Sequence, residues 1–148
     1  MKLAPLRPKV LIVNMEPPTP LMNRDHSVLR IARLMSRKSN ARNFRFGSAI
    51  AMGREILGVG SNDVFKTHPK STTVHGHIHA ELSAIINARC DVSGATLYVF
   101  RAGHKERPLL AKPCKSCQAL LVKQNVKYVC YSTDNGYEKI LVSELIKG

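Results

Sequence analysis

The chain has 148 residues, which suits one domain of ordinary size, and 44% of them are hydrophobic, which is enough for a packed core. It contains no tryptophan and few other aromatic residues, so aliphatic side chains must fill that core. Its formal net charge of +13 argues against a cationic partner and favours nucleotides or nucleic acid, although a basic surface that only promotes solubility would show the same excess.

The apolar stretches give no sign of a membrane segment. The run Val10–Val13 is far too short to cross a bilayer, and it has neither the length of a signal-peptide core nor a cleavage site after it. We therefore expect a cytoplasmic protein that does not associate with membranes, and we expect it to form a homo-oligomer.

The four cysteines fall into two groups. Cys114 and Cys117 have the spacing of a metal site or a redox pair, which a reducing compartment favours over a disulfide. Cys90 and Cys130 lie in apolar contexts, and we predict that both are buried thiols.

The chain begins with a proline-rich arm over residues 1–22, with a short edge strand at Lys9–Asn14. A single domain is expected over residues 23–148. Its first element is a helix over Asn23–Ser39, because apolar side chains recur at helical spacing and arginines occupy the opposite face. The apolar set is Val28, Ile31, Ala32 and Met35, and the basic set is Arg30, Arg33 and Arg37.

The following elements alternate between strands and helices. They are predicted as strands Phe44–Met52 and Glu55–Val59 joined at Gly53-Arg54, a polar loop from Ser61 to Gly76, helix His79–Cys90, strand Thr96–Arg101, helix Cys114–Gln124 and strand Val126–Tyr131. Tyr98, Tyr128 and Tyr131 are expected in the core or on a sheet face. This alternation predicts an α/β protein with one mixed sheet covered by helices.

The last segment has two interpretations. Asp134-Asn135-Gly136 is a strong hairpin signal between two apolar runs, so we predict a strand over Tyr137–Val142 antiparallel to the preceding strand. The alternative is a final helix from about Tyr137 to Lys147.

One pattern indicates chemistry: His79-Ala80-Glu81, followed later by Pro113-Cys114-Lys115-Ser116-Cys117. Imidazole and thiolate are the ligands that zinc prefers, and a Cys-x-x-Cys at a helix start directs two sulfurs to one point. Three protein ligands leave a position for water, as in catalytic sites. We therefore predict Zn²⁺ held by His79, Cys114 and Cys117, with Glu81 as the catalytic group that accepts and returns the proton.

Two other interpretations of the motif remain. A closed structural site would need a fourth ligand, for which His75, His77 or His104 is available, but it would leave Glu81 without a role. A thioredoxin-like redox pair is expected after a first strand near the N terminus, whereas this pair occurs late in the chain.

With these motifs, the chain resembles the cytidine and deoxycytidylate deaminase superfamily from about Arg24 to the C terminus. The resemblance implies a three-layer α/β/α fold with a mixed five-stranded sheet. It implies that Asn62, which ends Gly58-Val59-Gly60-Ser61-Asn62, lines the sugar or base pocket, although Asn62 also fits a simple turn. It further implies that a backbone carbonyl of His77, Ile78 or Lys112 holds the exocyclic amine.

The residues that would bind substrate follow from weaker signals. Lys66-Thr67-His68-Pro69-Lys70 resembles a basic loop of small phage deoxycytidylate deaminases, so Lys66, His68 and Lys70 are candidate phosphate contacts or else solvated loop residues. His75 and His77 are expected to line the pocket or face water. After the strand ending at Arg101, that arginine and the stretch His104–Arg107 are the nearest candidates for further contacts.

Three functions are compatible with the sequence. The first is hydrolytic deamination of a free cytosine nucleotide or nucleoside, with deoxycytidine monophosphate favoured. The second is deamination of cytosine or adenine in single-stranded DNA or RNA, which the charge favours and the scarcity of aromatic residues opposes. The third is a catalytically silent binding or assembly protein, which the intact motif opposes.

Overall fold

The computed structural model of the protein describes residues 19–67 and 77–147. The predicted edge strand at Lys9–Asn14 lies outside these residues, and the division into an arm and a domain at residue 22 remains a prediction. None of the helices in the described ranges is both long enough and apolar enough to cross a membrane.

Helices and strands alternate along the chain. The helices are α1 (Asn23–Ser36), α2 (Ala80–Ala88), α3 (Lys115–Lys123) and α4 (Val142–Leu145), with a 3₁₀ turn at His104–Glu106. The strands are β1 (Arg45–Met52), β2 (Glu55–Ser61), β3 (Asp63–Thr67), β4 (His77–Ile78), β5 (Thr96–Ala102), β6 (Pro108–Leu109), β7 (Tyr128–Thr133) and β8 (Gly136–Leu141).

The main sheet has the strand order β2-β1-β5-β7-β8, and the two-residue β6 pairs with the end of β5. β5 and β7 are parallel, whereas the other pairs in this sheet are antiparallel. The sheet is therefore mixed, and its five-strand path confirms the predicted fold class. β3 and β4 form a separate two-stranded ladder.

Helices cover both faces of the sheet. Side chains of alternate strand residues point to opposite sides, so each face has its own set of apolar side chains to bury. On one face, Tyr98, Phe100 and Cys130 pack with Val28 and Leu29 of α1. The other face has its own core, to which α2, α3 and α4 contribute. Its buried members include Ile50, Ala84, Leu97, Val99, Leu121, Val129, Val142 and Leu145.

Two glycines allow the helices to approach the sheet closely. A Cβ atom on Gly60 of β2 would lie 2.6 Å from the backbone nitrogen of Ala84 and from the Cβ of Ser83, both in α2. Gly47 of β1 faces the backbone of α1 in the same way. A side chain at either position would push its helix away from the sheet.

A buried polar cluster links α1 to the far edge of the sheet. The carboxylate of Asp25, which is fully buried, accepts hydrogen bonds from the Tyr98 hydroxyl at 2.6 Å and from the Lys139 ammonium at 3.0 Å. It also accepts the backbone N–H of Met22 at 2.7 Å. Although burial by itself raises the pKa of Asp25, these hydrogen bonds bring it below its usual value.

The first helix is shorter than predicted. α1 ends at Ser36 rather than Ser39, and the backbone N–H groups of Arg37 and Lys38 close its last turn. Ser39 is engaged elsewhere, because its hydroxyl donates a hydrogen bond to the side chain of Asn62. The Ser39 hydroxyl also accepts the backbone N–H of Ala41, and such local bonds between a serine side chain and the backbone compete with helical structure.

The segment after β2 also differs from the prediction. The expected loop from Ser61 to Gly76 contains strand β3, which pairs with β4 through Asp63↔Ile78 and Thr67↔His77. β2 itself continues two residues beyond Val59, because Gly60 and Ser61 pair with β1. Pairing with a neighbouring strand, which local composition does not reveal, decides both differences.

The C-terminal hairpin is confirmed, since β7 and β8 are antiparallel neighbours joined through Thr133↔Gly136. α4 then occupies only Val142–Leu145, so the alternative helix from Tyr137 is wrong. β7 begins at Tyr128 rather than Val126, because the Val126 N–H closes the end of α3 by bonding to the Leu121 carbonyl.

Of the two cysteines predicted to be buried, only Cys130 is. Cys90 is exposed, which corrects that prediction. α2 ends at Ala88, and Arg89 then adopts a left-handed conformation that turns the chain out of the helix before Cys90. The expectation for the tyrosines is confirmed by Tyr98 and Tyr131, which are both buried.

Candidate metal centre and active-site cavity

The predicted metal ligands lie where two helices begin. His79 is the N-cap residue of α2, Cys114 is the N-cap residue of α3, and Cys117 lies in the first turn of α3. Each motif therefore forms a helix start, as the sequence indicated. The unpaired N–H groups and the dipole at a helix N terminus favour thiolate over thiol.

The three donor atoms form one cluster. His79 Nδ1, Cys114 Sγ and Cys117 Sγ all lie within 4.8 Å of one another. His79 Nδ1 is 3.8 Å from the sulfur of Cys114 and 3.5 Å from that of Cys117. Tetrahedral zinc, with its usual bond lengths to nitrogen and sulfur, would place such atoms about 3.6 Å apart. The donor set and its spacing thus fit zinc.

The pKa values of the two cysteines are shifted in opposite directions. Hydrogen bonds from Cys117 and His79 lower the pKa of Cys114 to about 3. The hydrogen bond to Cys114, together with burial, raises the pKa of Cys117. The pKa of His79 is raised chiefly by its hydrogen bond to Cys114. A thiolate beside a buried thiol is a ready ligand for a soft or borderline metal ion.

Glu81 lies in the first turn of α2, two residues after His79, and only 5% of its surface is exposed. Burial raises the pKa of its carboxyl group above the ordinary value. A buried carboxyl group with a raised pKa can hold a proton close to neutral pH, as a general acid or base must.

A cavity of about 440 Å³ opens beside this cluster. Its volume is within the range of small-molecule sites. The described lining residues are Phe44, Phe46, Asn62, Val64, His79, Ala80, Glu81, Lys112 and Cys114. The cavity thus combines two of the candidate ligands and the buried glutamate with an apolar wall, an amide and one lysine.

Asn62 lines the cavity, but most of its hydrogen-bonding capacity is used within the chain, and its expected role in a sugar or base pocket stays a prediction. Its Oδ1 accepts hydrogen bonds from the Ser39 hydroxyl and from the Phe46 N–H, and its Nδ2 donates to the Phe44 carbonyl at 2.6 Å. Asn62 therefore fixes the backbone that carries both phenylalanines, and its amide retains one N–H for a ligand.

The two phenylalanines were not identified from the sequence as site residues. Phe44 is 57% exposed at the cavity. The guanidinium carbon of Arg101 lies 4.8 Å from the ring centroid of Phe44 and 5.7 Å from that of Phe46, which are cation–π distances. Their spacing of two residues at the start of a strand was the signal that could have placed both rings on one side.

The other predicted site residues are less closely gathered. Arg101 contacts the two phenylalanine rings but does not itself line the cavity. Lys66 and His77 belong to the paired strands β3 and β4, whereas His68, Lys70 and His75 lie outside the described residues. His104 lies in the 3₁₀ turn and is not a member of the donor cluster in the described part of the chain.

Comparison with known proteins agrees with this geometry. The family described as "Cytidine and deoxycytidylate deaminase zinc-binding region" matches residues 22–133. A probable deoxycytidylate deaminase from Caenorhabditis elegans is 31% identical over 116 residues, which are 70% of this chain and 54% of that protein. The chain thus spans about half the length of this relative.

Solved structures share the fold. The dCMP deaminase of cyanophage S-TIM5 superposes with a TM-score of 0.57 at 22% identity, covering 79% of this chain and 84% of the phage protein. The phage enzyme is also known in complex with dCMP and dUMP. Cytidine deaminase from Burkholderia pseudomallei gives a TM-score of 0.62 at 18% identity, covering 84% and 96% of the two chains.

The fold and the cluster define an α/β protein in which one histidine and two cysteines, beside a buried glutamate, are spaced to hold a metal ion. More particularly, the chain belongs to the cytidine and deoxycytidylate deaminase zinc-binding family. Zinc is the metal of this family, and the donor set fits it.

Proposed function

We propose that this protein hydrolytically deaminates a cytosine nucleotide, with deoxycytidine monophosphate as the first candidate, to give the uracil nucleotide and ammonia. The observation that carries the proposal is the donor cluster of His79, Cys114 and Cys117, which lies beside the buried Glu81 at the wall of the 440 Å³ cavity. When bound, zinc supplies Lewis-acid activation of the attacking water.

The residues of the chain divide the remaining work. His79, Cys114 and Cys117 would hold the metal. Glu81 takes one proton from the attacking water and gives it to N3 of the base, where it stays in the product; Glu81 then takes the remaining proton of the hydroxyl at C4 and gives it to the leaving amine. Glu81 suits this role because its burial raises its pKa, so that protonated and ionised forms lie closer in free energy. Asn62 and the two phenylalanine rings that it positions bind the base or sugar.

The substrate assignment draws on charge and on the relatives. The curated relative is named a probable deoxycytidylate deaminase, and the phage enzyme of the same fold binds dCMP and dUMP. A monophosphate needs only a few cationic contacts, for which Lys66, His68 and Lys70 are our candidates from the sequence. The backbone carbonyls of His77, Ile78 and Lys112 are candidates for holding the exocyclic amine, and Arg101 supports the phenylalanine wall.

The test is replacement of Glu81 by glutamine. The amide is nearly isosteric and cannot carry the proton, so zinc content and folding should be retained while turnover of dCMP falls by at least 10³-fold, of the order expected for loss of a general acid–base group. Product formation is followed by chromatography, and zinc by elemental analysis. Glu138→Gln is the matched control, because Glu138 lies on β8 away from the cavity. An active Glu81→Gln enzyme would refute this assignment.

A second candidate is deamination of cytosine or adenine in single-stranded DNA or RNA. It is favoured by the exposed ring of Phe44 beside Arg101, which forms a stacking surface at the cavity, and by the net charge of +13. A panel of cytidine, deoxycytidine, their phosphates and oligonucleotides separates the two candidates. Uracil or inosine in the oligonucleotide without turnover of any monomer would establish the polymer substrate.

A further inference from the structure

Most polar groups of the described cavity lining already have partners or assigned roles. His79 and Cys114 belong to the donor cluster, Glu81 is buried beside it, and Asn62 retains one N–H after its contacts with the chain. The other lining residues, except for one, are apolar. That exception is Lys112, which is exposed and has no hydrogen bond or ion pair with any described residue.

The backbone around Lys112 is held firmly. Ala111 and Pro113 are buried on either side of it, and the Ala111 N–H donates to the Ser132 carbonyl at 2.9 Å. The Pro113 carbonyl accepts a hydrogen bond from the Gln118 side chain, also at 2.9 Å. Lys112 is therefore a cation on a fixed support, two residues before Cys114 and at the opening of the cavity.

We propose that Lys112 makes the main contact with the anionic part of the ligand, ahead of the three candidates named from the sequence, and that its ammonium group binds the phosphate of a nucleoside monophosphate. This inference rests on the proposed function and refines its substrate class. An ammonium group that has no partner among the described residues can turn toward a ligand with little loss of free energy. A charge-assisted hydrogen bond to phosphate is also stronger than a neutral one. Loss of one such contact should weaken monophosphate binding about tenfold or more.

The test measures binding rather than turnover. The zinc-loaded protein, with all 148 residues, is titrated calorimetrically with dUMP and with deoxyuridine, which differ only in the phosphate group. We expect the wild type to prefer dUMP by at least about tenfold. Lys112→Gln should remove most of that preference, whereas Lys112→Arg should keep it. Lys123→Gln, at the distant end of α3, is the charge-matched control and should keep the preference.

The inference is overturned if Lys112→Gln retains the wild-type preference, if it weakens both ligands equally, or if the wild type binds both ligands alike or neither. Thermal unfolding of each variant shows whether a variant with weakened binding is still folded. If Lys112→Gln does not fold, Lys112→Arg tests the role of the charge. Turnover of dCMP is then measured separately. If the protein binds dUMP through Lys112 but deaminates no substrate, only the proposed function is contradicted. If the protein deaminates dCMP but Lys112→Gln keeps the wild-type preference for dUMP over deoxyuridine, only this inference is contradicted.

Discussion

Replacing Lys139 by methionine should destabilise the fold without changing the chemistry of the site. The Lys139 ammonium lies 3.0 Å from the Asp25 carboxylate, and both side chains are buried, with 7% and 0% of their surfaces exposed. The substitution keeps the aliphatic stem of the lysine and leaves the carboxylate without its counter-charge. Asp25 would still accept hydrogen bonds from Tyr98 and Met22.

The expected cost follows from that geometry. Breaking a buried ion pair by removing one partner costs about 3–5 kcal/mol. Because two hydrogen bonds to Asp25 remain, we expect the lower end, about 3 kcal/mol. In a chain of this size each kcal/mol lowers Tm by about 3–4 °C, so Tm should fall by about 10 °C. Calorimetry and urea unfolding measure the two quantities independently.

A double-mutant cycle identifies the cause of the loss. Asp25→Asn combined with Lys139→Met removes both charges and retains an acceptor for the Tyr98 hydroxyl, so the double variant should be more stable than either single variant. Lys123→Met, on an exposed lysine, is the control and should change stability by less than about 0.5 kcal/mol. If Lys139→Met costs no more than this control, or if the two single costs simply add, the buried pair does not stabilise the fold as argued.

Three further predictions concern the metal, the packing of α2 and acid. Purified protein should contain one zinc per chain. Cys114→Ala should lose both the metal and thermal stability, whereas Cys90→Ala should keep both. X-ray absorption that shows four protein ligands would contradict an open site. Gly60→Ala should force α2 from the sheet, cost about 1–3 kcal/mol and lower turnover, while Gly53→Asn, at a left-handed position in open space, should do neither. The pKa of Asp25 is lowered in the fold, so its contribution to stability is present above its unfolded value of about 3.9 and is lost as pH falls through the folded value; acid titration of Asp25→Asn should therefore show a shallower loss below about pH 4.

The proximity of the three donor atoms was predictable because their geometry is mostly local. A Cys-x-x-Cys at a helix start brings its two sulfurs together whatever the rest of the fold does, and His79-Ala80-Glu81 occupies the same kind of position at the start of α2. Only the meeting of the two helix starts depends on tertiary structure. The hairpin at Asp134–Gly136 was predictable for the same reason, because its turn chemistry lies within a few residues.

The remaining features depend on contacts between distant parts of the chain. Asn62 was expected to face a ligand, but its side chain also clamps the backbone of Phe44 and Phe46, which no local pattern around Asn62 indicates. The guanidinium group of Arg101 contacts those two rings, which are more than fifty residues earlier in the sequence. The exposure of Cys90 follows from the point at which α2 ends, and helix ends are the least certain part of a sequence-based assignment.

The ion pairs on the surface reduce the positive charge that is free to bind an anionic ligand. Part of the arginine face predicted for the first helix is already paired: Glu106 accepts two hydrogen bonds from Arg37, at 2.7 and 3.0 Å, and lies 3.5 Å from Arg33. The guanidinium of Arg33 also lies over the ring of Phe100. Such exposed pairs add little stability. A nucleic-acid backbone bound along α1 would nevertheless have to displace Glu106 from Arg33 and Arg37. Among the described residues that line the cavity, the basic side chain is that of Lys112, a single charge that matches one phosphate group better than a polymer backbone.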